Sequence, residues 1–142
     1  MEADKCSICP RKCDVDRNLR EGFCKAPWEP VVAVKKAKDK GIKVPFVYNS
    51  NGYDSIESLQ MMEGLIDIYM PDFKYASNTL GFRYSGVPDY FTVASKALRE
   101  MYRQVGNPVV DNGLMKSGVL IRHLVMPNLT DDSYLATPNN ED

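Results

Sequence analysis

Long hydrophobic runs are absent from this 142-residue chain, and no stretch approaches the roughly 18 apolar residues that a membrane helix needs. The N-terminal stretch MEADKCSICPRKC has no apolar segment, which argues against a secretory signal. An excess of charge is missing too. The 18 Lys and Arg against 19 Asp and Glu leave a formal net charge of -1, so the overall field invites neither nucleic acid nor an anionic membrane. Histidine occurs once, at position 123, and cysteine does not occur beyond residue 24. These absences point to a cytoplasmic protein, in a compartment where clustered thiols are metal ligands more often than disulfides. Hydrophobic residues at 44% and charged ones at 26% are close to globular averages and permit one domain with a core.

Three regions follow along the chain. Residues 1–30 hold every cysteine together with Pro10, Pro27 and Pro30 and have little periodicity. They are expected to be an irregular metal-binding segment. Residues 31–127 alternate helical and strand patterns. Val31 to Gly41 reads as a helix whose lysines, with Lys43, form a solvated face. Val44–Tyr48 reads as a strand, stopped by Asn49-Ser50-Asn51-Gly52. A short helix over 55–62 follows, capped by Asp54 or Ser55. Leu65–Met70 reads as a second strand, ended by Pro71-Asp72-Phe73-Lys74, and a loop comes next. A long helix spans Tyr90 to Val105, with Phe91, Ala94, Leu98, Met101, Tyr102 and Val105 at helical spacing. The connection 107–117 carries a hairpin signal at Asn112-Gly113, and Gly118–Met126 reads as a third strand. Residues 128–142 form a polar tail, expected to fray.

Alternation of this kind predicts an α/β fold with about three parallel strands and helical crossovers. At about 30 residues per unit, the roughly 110 residues after the cysteines are too few to close an eight-fold barrel. The expected architecture is a partial (β/α) barrel with open edges at Val44–Tyr48 and Leu65–Met70, prone to self-association.

Two constellations carry chemistry. Cys6-x2-Cys9-x3-Cys13-x10-Cys24 offers four thiolates, which suit Zn2+ or a 4Fe-4S cluster without deciding between them. Asp72 and Lys74, at i and i+2, point to the same side of an extended segment. In parallel α/β folds the C-terminal strand ends bind ligands, so this pair could grip the amino-acid end of a small molecule, or form a surface ion pair only. Asn49, Ser50 and Asn51 occupy the equivalent place one strand earlier. Arg122 and His123 fall on opposite faces of their strand, and the lone histidine is expected to be a hydrogen-bonded core residue.

Taken together, CSICPRKCDVDRNLREGFC, VPFVYNSNGY, DIYMPDFKYAS, PDYFTVASKALREMYRQVG and SGVLIRHLVMP resemble radical S-adenosylmethionine (SAM) proteins related to pyruvate formate-lyase activating enzyme, in the branch with an extra N-terminal cysteine-rich segment. The resemblance runs over residues 4–127. It implies a partial barrel whose C-x3-C-x2-C loop holds a 4Fe-4S cluster. The fourth iron takes the amino and carboxyl groups of SAM, and reduction yields a 5′-deoxyadenosyl radical that abstracts hydrogen, often from a protein glycine. By that resemblance Asp72 and Lys74 are the Asp-x-Lys that approaches SAM, Asn49 and Ser50 form the turn beside it, and Arg122 faces the barrel interior.

One departure is decisive for activity. No C-x3-C-x2-C occurs in this sequence; Cys6, Cys9 and Cys13 have the reverse spacing and match the accessory N-terminal segment. The family pattern jumps near Ala33-Val34 and stops after Pro127. The expectation is a metal-binding fragment of a radical SAM protein without SAM-cleaving activity and with no catalytic residue of its own. The alternatives are a shortened activase using Cys6, Cys9 and Cys13 for its cluster, and a non-enzymatic metal clip that binds a partner protein.

Overall fold

The computed structural model describes residues 14–15 and 30–125. Cys6, Cys9, Cys13 and Cys24, and with them the expected metal clip, lie outside the described residues, as does the tail from residue 126 onward.

Pro30 opens α1 (Pro30–Asp39) at the helical position that tolerates a missing N–H. The expected stop at Gly41 is found, with its N–H donating to the Lys38 carbonyl at 2.8 Å. Strand β1 (Val47–Ser50) starts three residues later than expected. The reason is Asp67, whose carboxylate accepts the Phe46 N–H at 2.8 Å and so takes a donor that a longer ladder would use. α2 (Ile56–Met61) is capped by Ser55, whose Oγ accepts from the Ser58 N–H. β2 (Ile68–Phe73) likewise starts later, and it runs straight through Pro71 rather than ending there. Proline fits an extended backbone and removes only a donor.

The segment expected to be a loop contains α3 (Asn78–Ser85), capped by Ser77 Oγ at its start and by Gly86 in the left-handed region at its end. α4 (Tyr90–Val105) has the expected bounds. It presents Tyr90, Ala94, Ala97 and Met101 to the core, whereas Tyr102, expected in the apolar stripe, is 51% exposed. β3 (Val109–Asp111) and β4 (Leu114–Val119) form the hairpin signalled by Asn112-Gly113. Both turn residues have positive φ, 49° and 77°, as a two-residue type I′ turn requires.

The sheet is mixed and does not close among the described residues. Its order is β1-β2-β4-β3, with β5 (Arg122–His123) also on β2. β1, β4 and β5 pair with β2 in parallel, and β3 pairs with β4 antiparallel. β2 is therefore the central strand, not the exposed edge expected for Leu65–Met70; the edges are β1 and β3. The third strand comes in two pieces at one register: Ile68 faces Gly118 and Asp72 faces Arg122. Pro71 explains the gap. The Gly118 and Leu120 N–H groups donate to the Asp67 and Tyr69 carbonyls, and by the alternation of a parallel ladder the next donor back to Leu120 would be the nitrogen of Pro71, which has no hydrogen.

Neighbours in register share a face. On one face Tyr69, Phe73 and Val119 pack against α2, α3 and α4 in two clusters. The first is built from Leu59, Met62, Ile66, Tyr69, Ala97 and Met101; the second from Phe73, Tyr75, Val87, Tyr90 and Ala94. On the other face lie Val47, Asn49, Ile68, Met70, Asp72 and Arg122.

Candidate ligand site at the C-terminal strand ends

Asn49, Asp72 and Arg122 come from three strands and meet because the parallel registers put them on one face near the strand ends. Arg122 donates to Asp72 Oδ1 through Nε at 2.9 Å and Nη2 at 2.7 Å. The same Nη2 donates to Asn49 Oδ1 at 2.8 Å. Lys74, the first residue beyond β2, brings its Nζ to 3.4 Å from Asp72 Oδ2. The Arg122 side chain is 45% exposed and that of Asp72 24%. One carboxylate thus lies between two cations at an accessible edge, with a net charge of +1. Such pairs contribute only ~0–1 kcal/mol to stability. Their chemistry suits a ligand carboxylate, which either cation could pair with, and an ammonium, which could take a remaining lone pair of Asp72.

Ser50 does not join this group. One residue further along β1 it turns to the opposite face, where its Oγ donates to Asp54 Oδ2 at 2.7 Å and accepts the Gly52 N–H at 3.1 Å. Tyr48 donates to the other Asp54 oxygen at 2.9 Å. Burial pushes the Asp54 carboxyl above its ordinary pKa, opposed by these two hydroxyls. His123 is also on the far side. It is hydrogen-bonded as expected, its Nδ1 reaching the Phe73 carbonyl at 2.7 Å, but it is exposed at the strand end rather than in the core.

Two residues that sequence reasoning missed shape the site. The Tyr90 hydroxyl donates toward the Asn51 and Asp72 carbonyls, each at 3.0 Å, and accepts the Lys74 N–H at 3.1 Å. Burial pushes its pKa up to about 12, so it remains a protonated donor at neutral pH. Gly52, at φ +77°, sits where a Cβ would meet the Asp72 carbonyl oxygen at 2.1 Å. The glycine was legible as a turn signal, but nothing in the sequence pointed to the hydroxyl at the first position of α4.

At the opposite, N-terminal ends of the strands lies an open cleft of about 400 Å³, lined by Lys38, Ile42, Lys43, Val44, Pro45, Asp67 and Lys116. Lys38 is not simply solvated, as its helix face was expected to be: it pairs with Asp67 at 3.2 Å and lies over the Phe46 ring. Among the described residues no group of three or more His, Cys, Asp or Glu side chains could hold a metal ion, and no helix is long and apolar enough to cross a membrane.

The chain is 36% identical over 89 residues to an uncharacterized protein of Methanocaldococcus jannaschii. The match covers 62% of this chain and 22% of that protein, so the chain spans about a fifth of the length of the curated relative it matches. No protein-family model matches the chain, and no solved structure matches it.

Proposed function

We propose that this chain is a metal- and ligand-holding fragment of a radical SAM-type (β/α) barrel, related to pyruvate formate-lyase activating enzyme, and that it does not cleave SAM. The observation that carries this reading is the Asn49–Arg122–Asp72–Lys74 chain of contacts at the C-terminal ends of three parallel-paired strands. Its donor set fits the amino-acid end of SAM: Arg122 or Lys74 for the carboxylate, Asp72 for the ammonium. Cys6, Cys9, Cys13 and Cys24 would hold a 4Fe-4S cluster or Zn2+, in a cytoplasmic setting that keeps thiols reduced. A cluster bound there would supply one-electron chemistry. The C-x3-C-x2-C loop that aims such a cluster at SAM is missing, and no other described side chain replaces it.

The test is reconstitution under anaerobic conditions. Iron, sulfide and zinc are measured first, then 5′-deoxyadenosine formed from SAM with dithionite. Bound metal and no 5′-deoxyadenosine is the expected result. Product above the level of a Cys6→Ala, Cys9→Ala, Cys13→Ala triple variant would overturn the inactive reading in favour of a shortened activase. A second reading, a module that associates through its sheet edges, draws on β1 and β3 ending the sheet with Val47 at 52%, Val109 at 54% and Val110 at 62% exposure. A monodisperse monomer in size-exclusion chromatography would count against it.

A further inference from the structure

Asn49, Asp72 and Arg122 stand on strands, but the main chain that follows β1 and β2 at this site has run out of ladder partners. Asn51 lies just past β1, and Lys74 just past β2. Beyond the paired residues, main-chain donors and acceptors need another partner or water. Here three of them converge on one side-chain atom. The Asn51 carbonyl, the Asp72 carbonyl and the Lys74 N–H all lie within 3.1 Å of the Tyr90 hydroxyl oxygen. The Tyr90 ring is itself fixed: it is 3% exposed, stacked on Tyr53 at 6.1 Å and set edge-on to Tyr75 at 5.2 Å.

We propose that Tyr90 is the positioning residue of the site, a clasp from α4 that holds the main chain just past β1 to the end of β2, so that Lys74 keeps its place beside Asn49 and Asp72. The hydroxyl's hydrogen bonds run to main-chain atoms. It acts on the site through that main chain. Gly52 belongs to the same device. A Cβ there would overlap the Asp72 carbonyl oxygen at 2.1 Å and come to 3.5 Å from the Tyr90 oxygen, so any side chain at position 52 would push Asp72 off the clasp. The clasp stands on geometry alone; its effect on affinity rests on the SAM reading given above.

The test uses the full chain with Tyr90→Phe, which keeps the ring and removes the hydroxyl, and Tyr102→Phe as control. Tyr102 lies on the same helix, and its hydroxyl bonds Asn107 away from the site. Amide hydrogen exchange is followed residue by residue, and SAM affinity by titration. In Tyr90→Phe the Lys74 amide should exchange at least about tenfold faster, while Tyr69 in β2 and the interior of α4 keep their rates. SAM affinity should fall about tenfold, the equivalent of one unsatisfied buried polar group. Tyr102→Phe should change neither. Gly52→Ala, with the hydroxyl intact, should also speed exchange at Lys74. An unchanged Lys74 amide in Tyr90→Phe overturns the proposal. So does acceleration spread evenly over β2 and α4, which would show a loss of core packing instead of a loosened loop. If the unmodified chain does not bind SAM, the ligand reading fails, and the clasp is then decided by the exchange data alone.

Discussion

The two faces of β2 differ by a single residue step along the chain. Tyr69 and Phe73 point toward the helices and are 0% and 6% exposed. Asp72 and Lys74 point the other way and form ion pairs at an accessible edge. The first set contributes stability through buried area; the second contributes little stability and, with Arg122, the candidate site's charge. Fold and site therefore share a strand without sharing energetics. Substitutions at Tyr69 or Phe73 should unfold the protein, and substitutions at Asp72 or Lys74 should leave it folded without its ligand.

The largest expected effect is on the helix-covered face. Met101→Ala removes a fully buried side chain of the first core cluster and should cost ~2–5 kcal/mol in chemical denaturation. A loss under ~1 kcal/mol would mean that this face does not carry the core.

A smaller effect is expected at Glu100, the buried acid of that face. Hydrogen bonds from Arg103 and Gln104 hold its pKa down to about 2, against an ordinary 4.5. Because the folded value is the lower one, its contribution is present above about pH 4.5 and is lost as pH falls toward 2. Glu100→Gln should cost on the order of 1 kcal/mol at neutral pH and flatten the stability curve between pH 4.5 and 2. An acid limb that keeps its slope in this variant would remove Glu100 from that role. The smallest effect on stability belongs to the other face. Arg122→Ala should shift stability by no more than ~1 kcal/mol while abolishing measurable SAM binding in titration. Substantial unfolding with affinity retained would reverse the comparison.

Much of this architecture was legible in the chain. The bounds of α4 follow from a 3.6-residue apolar period between a turn and Gly106, and the β3–β4 turn follows from Asn112-Gly113, which is suited to two positive φ angles. Asp72 and Lys74 could be paired from their spacing, and their location from the rule that ligands sit at C-terminal strand ends. α3 was missed because Asn78, Thr79, Gly81 and Ser85 dilute its periodicity, although Ser77 and Gly86 were cap signals. The run of β2 through Pro71 was missed because proline usually ends a strand; here only one ladder bond is lost. Ser50 was grouped with Asn49 by proximity in sequence, and strand alternation then separated them.

What the sequence determined by itself is local: helix and turn positions, the alternation that sends Tyr69 and Asp72 to opposite faces, the four cysteines within 24 residues, and the absence of a C-x3-C-x2-C loop. These depend on backbone preferences and spacing, which act over a few residues. Only the tertiary structure decided that β2 is central, that Arg122 reaches Asp72 across 50 residues, and that Tyr90 ties the main chain past β1 to the end of β2. Those facts depend on strand register and on which hydroxyl arrives at an unpaired main-chain group, and neither is written in any local pattern.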